Sequence, residues 1–140
     1  MYDLDRFIKA HEHNYDIALK EIQRGYKQSH FMWYIFPQIK GLGMSDIAMY
    51  YEIKSIEEAK AYLENDILRA HLLEISEALL KLDNNNPREI LGYPDDLKLK
   101  SCMTLFNYVA PDIETFNKVL DKFYDGEEDI KTLNILKRIK

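Results

Sequence analysis

Between Asp66 and Leu82 the side chains of Ile67, Leu68, Leu72, Ile75, Leu79 and Leu82 recur at helical spacing. Asp66 stands as a candidate N-cap before them, and Asp83-Asn-Asn-Asn-Pro87 follows as a polar stop. An apolar stripe of this length and period cannot lie flat in a sheet. It commits its segment to a helix that must bury one face against other elements.

The same signature recurs along the chain. Leu4, Phe7, Ile8 and His11 share a helix face behind Asp3, and Asn14 can cap a second helix carrying Ile17, Ala18, Glu21 and Ile22 up to a stop at Gly25. Ser45 precedes a segment in which Ile47, Ala48, Tyr50 and Tyr51 fit one face. Ser55-Ile-Glu-Glu58 has the form of a capping box opening a helix with Ala59, Tyr62 and Leu63. Asn86-Pro87 can start a short helical turn, broken by Gly92-Tyr-Pro94. Asp95 or Asp96 can then cap a helix through Leu97, Leu99, Met103, Leu105 and Phe106. Pro111-Asp112 ends that element and caps the next, where Ile113, Phe116, Leu120 and Phe123 line a face up to Gly126. Ile130, Leu133, Leu136 and Ile139 predict a terminal helix. The expectation is an all-α fold, a single compact multihelical domain over residues 1–140, without internal repeat or flexible linker.

Composition narrows the function classes. A chain of 140 residues suits one domain, and folding at this size buries about 70% of the unfolded chain's surface. The 24 acidic residues outnumber the 19 basic ones, net −5, with no long basic run, so the charge footprint of a nucleic-acid binder is missing. Cys102 is the single cysteine, which rules out an intramolecular disulfide and a cysteine-based zinc cluster within one chain. The acidic N-terminus lacks the pattern of a signal peptide and no run reaches the apolar length of a membrane span. The expected location is cytoplasmic, with no membrane partner.

Gly25 to Ser45 departs from the helical pattern, concentrating the sole Trp, a His, a Pro and closely spaced glycines. The run His30 to Phe36 is apolar and aromatic after His30, so periodicity alone leaves both a buried strand and a short buried helix open. No partner strand stands out, which favours a short helix entered at Ser29 and ended by Pro37. Lys27, Ser29 and His30 place a cation, a hydroxyl and an imidazole in one short stretch, a set able to bind phosphate or assist proton transfer. If chemistry occurs, His30 is the best candidate for the general acid or base, with Lys27 or Lys98 stabilising charge. Trp33 and Tyr34, with Phe31 and Phe36, can offer a face for stacking a base or sugar, with Gln38 reading polar edges. Gly41 and Gly43 before Ser45 can leave backbone N–H groups facing an anion at a helix start. Each group also has a purely structural reading: a solvated Lys27, a capping Ser29, a half-buried His30, core aromatics and a tight glycine turn.

A second polar group follows at Asp95 to Thr104. On a helix, Lys98 and Ser101, with Asp95, Asp96 or Thr104 near them, fall close to one face and can complete a pocket whose other wall is the first segment. An N-capped helix with an exposed face explains the same residues. Cys102 has no base placed beside it in sequence and is a poor nucleophile candidate. His11 and His13 diverge on a helix, His71 stands isolated, and no His-Glu-x-x-His pattern occurs, so no metal site is expected. No cofactor and no oligomeric state are indicated.

Several of these residues form longer patterns. They are Leu4-x-Arg6-Phe7-x-x-Ala10, Tyr15-x-x-Ala18-Leu19-x-Glu21, Gly25-x-Lys27-x-Ser29-His30-x-Met32-Trp33-Tyr34-Ile35-Phe36-Pro37-Gln38, Gly41-Leu42-Gly43-x-Ser45 and Asp96-x-Lys98-x-x-Ser101-x-Met103-Thr104-Leu105-Phe106. In this order the chain resembles the domain of unknown function numbered 1810, a family also labelled calpastatin-like. The resemblance covers nearly the whole chain and implies a compact, mainly helical, bacterial-type domain with no established activity. A folded, aromatic-rich chain does not look like a disordered protease inhibitor. The pattern departs from the family at His11, where Gln is common, at Phe31, where Trp is frequent, and at Tyr26, where a basic residue is usual. An anion site relying on that basic residue is expected to be weaker here.

The resulting expectation is a domain that binds a small anionic ligand, nucleotide- or sugar-phosphate-like, and acts on it if the imidazole is engaged. The alternative is a protein-interaction or structural domain in which the polar-aromatic segment organises the helices.

Overall fold

The computed structural model describes residues 2–139. Its elements are α1 (Asp5–Arg24), α2 (Met32–Ile35), α3 (Asp46–Tyr51), α4 (Ile56–Glu64), α5 (Asp66–Leu80), α6 (Pro87–Leu91), α7 (Asp95–Val109), α8 (Glu114–Tyr124) and α9 (Ile130–Ile139). The all-α expectation holds among the described residues. Helix α1 packs on α5, α5 on α8 and α8 on α7, with α4 wedged against both α5 and α7. Short α2 joins α1, α3 and α7, while α6 and α9 lean on α7.

The core explains this packing order. Phe7 of α1, Tyr62 of α4, Phe106 of α7 and Phe116 of α8 are fully buried and form a chain of aromatic contacts with centroid separations of 5.1, 5.3 and 5.8 Å. Burying each such ring contributes on the order of 1.5–3 kcal/mol, so one ladder of four rings ties together helices far apart in sequence. The buried stripe of α5 is Leu68, Leu72, Ile75 and Leu79. Ile67, read as part of that stripe, lies one residue off it and is exposed, as is Leu97 on α7.

Several boundaries differ from the sequence reading, each for a local reason. The two helices expected before Gly25 are one, because Asn14 turns its Nδ2 back to the Ala10 carbonyl (2.9 Å) instead of capping. Gly25, at φ 81°, ends this helix in a Schellman arrangement: its N–H donates to Ile22 O at 2.8 Å and that of Tyr26 to Glu21 O at 3.2 Å. The cap of α5 is Asn65, whose Oδ1 accepts from Ile67 N and Leu68 N, while Asp66 pairs with Arg69. Neither Asp95 nor Asp96 caps α7; both sit in its first turn behind Pro94. Asp112 likewise yields the cap position of α8 to Ile113. Ser45, Ser55 and Asn86 cap as read. At Ser55 the reciprocal bond shifts by one residue, since Glu58 Oε1 accepts from Lys54 N at 2.7 Å.

Arg6 is the strongest tie outside the core. Its guanidinium is buried, pairs with Glu58 at 3.0 Å, and donates to the carbonyls of Asp3, Tyr50 and Glu52. It thereby fixes the end of α3 and the start of α4 against α1.

Candidate functional site

Helix α2 begins at Met32, with Phe31 rather than Ser29 in the N-cap position, because Ser29 is used elsewhere. Its Oγ donates to Glu21 Oε2 at 2.5 Å, and Glu21 Oε1 accepts from the N–H groups of Gln28 and Ser29. Burial alone raises the Glu21 carboxyl pKa, but these hydrogen bonds and the Lys27 charge outweigh it and hold it below the ordinary value. The loop after α1 is thus folded around one carboxylate, and α2 is delivered with Trp33 half-buried at its surface.

Gln38 follows on a short extended stretch. Ile53 N donates to Gln38 O at 2.8 Å and Lys40 N to Ile53 O at 2.8 Å, an isolated parallel bridge between Ile39 and Ile53. Side chains alternate along extended backbone, so with Ile39 in the core Gln38 is turned the other way. It is turned into a cleft.

That cleft measures about 520 Å³. Trp33, Gln38 and Leu42 form one wall, Lys98 and Ser101 of α7 the second, and Glu128 to Lys131 at the head of α9 the third. Thr104 holds the third wall to α7: its Oγ1 accepts from Asp129 N at 2.8 Å while donating to Lys100 O. Asp129 Oδ2 accepts from Thr132 N and Oγ1, capping α9. The two segments expected from sequence to share a pocket therefore do so through Trp33, Gln38, Lys98 and Ser101.

The electrostatics of the second wall centre on Asp95. Its Oδ2 lies 2.8 Å from Lys27 Nζ and its Oδ1 3.0 Å from Lys98 Nζ. Burial pushes the Asp95 pKa up, but hydrogen bonds and charge from the two ammonium groups prevail and hold it below the usual carboxylate range. Lys27 also acts on the Glu21 carboxylate, so the two ammonium groups are balanced by two carboxylates. Lys98 Nζ also sits 4.1 Å from the Trp33 ring centroid, a cation–π contact that fixes it on the indole.

On the cleft lining one buried side-chain atom lacks a partner, while Tyr62 Oη, Ser76 Oγ and Asp96 Oδ1 lack one elsewhere. Gln38 is 6% exposed, and its Nε2 is buried without a hydrogen bond. Such a group costs roughly 1–3 kcal/mol unless something satisfies it. Ser101, also 6% exposed, donates to Leu97 O at 3.1 Å and keeps its lone pairs for a second partner.

Other candidates lie outside the cleft. Lys27 and His30 border a separate depression of about 40 Å³ that shares only Trp33 and Lys98 with the cleft. His30 engages its surroundings through its carbonyl, which accepts from Tyr34 Oη at 3.1 Å. Phe31 and Phe36 are 2% and 0% exposed, so the aromatic face reduces to Trp33. Gly43 serves packing: a Cβ there would fall 2.5 Å from Ala48 Cβ and 3.0 Å from the Trp33 ring. Gly41, at φ 104°, borders a neighbouring depression of about 240 Å³ with Lys131 and Arg138. Ser45 spends its Oγ on Ala48 N at 3.2 Å. Asp96 is buried, with Oδ2 3.6 Å from Arg88 and its carbonyl accepting from Tyr124 Oη.

The polar cleft residues missed in sequence are Lys100, Glu128, Asp129 and Lys131, and the apolar ones are Leu42, Pro94, Leu97 and Ile130. Only the capping pattern Asp129-x-x-Thr132 offered a local signal there, and it identifies a helix start, not a wall.

A second titratable cluster joins α1 to α5. His71, which looks isolated in sequence, has its Nδ1 2.9 Å from that of His11, and His11 Nε2 lies 2.8 Å from Tyr34 O. A carbonyl only accepts, so His11 carries its proton on Nε2 and receives one from His71 at Nδ1. Burial, aided by the His71 charge and opposed by the Tyr34 carbonyl, lowers the His11 pKa to about 4. Tyr15 stacks on His71 at 3.7 Å and donates to Glu74 at 2.6 Å. Among the described residues no group of three His, Cys, Asp or Glu side chains is placed to hold a metal ion, and no helix is long and apolar enough to cross a membrane.

The geometry defines a compact all-α protein with a lysine-flanked cleft of mixed polar and apolar lining between α2, α7 and α9. The chain belongs to the family described as protein of unknown function DUF1810, whose pattern matches residues 1–136. It is similar to the crystal structure of the conserved hypothetical protein Rv1873 from Mycobacterium tuberculosis. Identity is 41%, the match covers 97% of each chain, and the TM-score is 0.95. No curated protein matches the chain.

Proposed function

We propose that the cleft binds a small anionic ligand of the nucleotide or sugar-phosphate kind. The observation that carries this reading is the partnerless Gln38 amide buried in a cleft beside Trp33 and Lys98. Supporting it are three lysines on the lining, Lys98, Lys100 and Lys131, of which Lys98 is shared with Asp95 and Lys100 lies 3.6 Å from Glu127. Glu128 and Asp129 offset part of that charge, so affinity rests on a positioned contact rather than on a broad basic field. The reading is one of binding: His30 lies across the Trp33–Lys98 partition and reaches a cleft ligand only past it. It treats residues 1–140 as one domain, and the single buried Cys102 suits a reducing, cytoplasmic setting.

A panel of nucleotides and phosphorylated sugars titrated into the 15N-labelled chain tests this. Resonances of Trp33, Gln38, Lys98 and Ser101 are expected to move together, and a ligand at a hundredfold excess over its Kd adds about 2.7 kcal/mol of stability. Failure of the whole panel to move these four residues sinks the reading.

One observation favours the interaction-domain alternative. Met44 (84% exposed), Ile47, Met49 and Tyr50 leave apolar side chains in water on and just before α3. That reading expects Ile47→Glu to abolish association with a protein partner while no small molecule shifts the melting temperature.

A further inference from the structure

We infer that the cleft selects a hydroxyl-rich body attached to its anion, a sugar phosphate rather than a nucleotide. The inference rests on the reading of the cleft as an anion site and concerns what else the ligand carries.

A bare phosphate is an acceptor and uses only donors. The cleft offers more than donors. The Gln38 amide presents NH2 and carbonyl together, Ser101 retains acceptor capacity, and the Glu128 carboxylate is acceptor-only. Acceptors aimed at an anion repel it, whereas a hydroxyl both donates and accepts and matches all three. Gln38 is held in place, since its backbone carbonyl accepts from Ile53 N and its neighbour Ile39 is locked in the core. Lys131, and Lys98 while still held by Asp95, then remain for the phosphate.

A nucleobase is poorly served by the same walls. Stacking requires an open aromatic face. Trp33 is the one aromatic ring on the lining, and Lys98 sits over it at 4.1 Å, anchored by Asp95. To stack there a base would have to displace a paired ammonium. The CH groups of a sugar instead suit Leu42, Pro94 and Ile130, which supply the apolar part of the lining.

The test titrates glucose 6-phosphate, AMP and inorganic phosphate into the 140-residue chain. Emission of Trp33, the sole tryptophan, and the Gln38 side-chain amide resonance report binding. Glucose 6-phosphate is expected to bind at least tenfold more tightly than either AMP or inorganic phosphate. Gln38→Leu is expected to remove that preference, weakening glucose 6-phosphate by at least tenfold. Gln38→Glu, nearly isosteric, serves if the Leu variant does not fold, and is expected to weaken glucose 6-phosphate by at least tenfold. Equal or tighter binding of AMP, or an unchanged preference in the Gln38 variant, overturns the inference while the anion reading stands. Silence of Trp33 and Lys98 toward all three probes overturns both.

Discussion

The His11–His71 pair makes acid stability a quantitative consequence of the fold. His11 is buried, its Nε2–H committed to the Tyr34 carbonyl and its Nδ1 accepting from His71, and its pKa falls from 6.5 to about 4. The His71 pKa is lowered as well, chiefly by burial, with Glu74 and Asp16 opposing. In the unfolded chain an ordinary histidine takes up its proton below about pH 6.5; in the folded chain His11 does not until about pH 4. Between these values the unfolded state binds more protons, so stability rises with pH across the window. It is complete above the unfolded value and is lost as pH falls. At about 1.4 kcal/mol per pH unit, His11 alone withdraws about 2 kcal/mol by pH 5 and about 3 kcal/mol by pH 4. Asp95 and Glu21, whose pKa values are lowered, lose their contribution at still lower pH, below the ordinary carboxylate range. The assay is urea unfolding at intervals from pH 7.5 to 4.5, for the natural chain and for His11→Gln. Glutamine can still donate to Tyr34 O and accept from His71 but cannot titrate. The natural chain should lose stability across the window, and the variant should lose about 2 kcal/mol less by pH 5. Parallel pH profiles for the two proteins would refute the assignment of His11 as a buried neutral histidine.

Three further outcomes follow from named contacts. Arg6→Met should cost roughly 3–5 kcal/mol, because it strands the buried Glu58 carboxylate and three carbonyls; chemical denaturation measures this, and adding Glu58→Gln should recover part of the loss. Gly43→Ala should lower stability by about 1–3 kcal/mol and shift Trp33 emission, since the new methyl meets Ala48 and the indole; an unchanged melting temperature and spectrum would contradict that packing. Cys102 is fully buried and its thiol pKa is pushed well up by burial, so thiol reagents should label it only at the rate of unfolding; fast labelling of the native chain would count against its placement.

Helices were legible wherever apolar period and a capping side chain coincide, as at Ser45, Ser55 and Asn86, because both signals act within one or two turns. Boundaries failed where a polar residue had two local uses. Asn14 bonds back into its helix instead of capping, and Ser29 closes a loop on Glu21 instead of opening α2. His71 looked isolated because its partner His11 is on another helix.

The candidate site divides along the same line. Residue pattern alone singled out Trp33, Gln38, Lys98 and Ser101 as chemically unusual, and the helical period put Lys98 and Ser101 on one face. It could not distinguish them from Lys27, whose charge is spent on Asp95, from Gly43, which makes room for an indole, or from Asp96, which turns toward Arg88. That distinction needed the packing of α7 against α2 and α9. The third wall, Glu128 to Lys131, comes from a segment distant in sequence, brought in by the packing of α9 on α7 and the bond from Asp129 N to Thr104 Oγ1. Local periodicity and capping encode helices because those interactions span a few residues. Which side chains face a common cleft depends on contacts between segments far apart in the chain, and only the tertiary structure decides them.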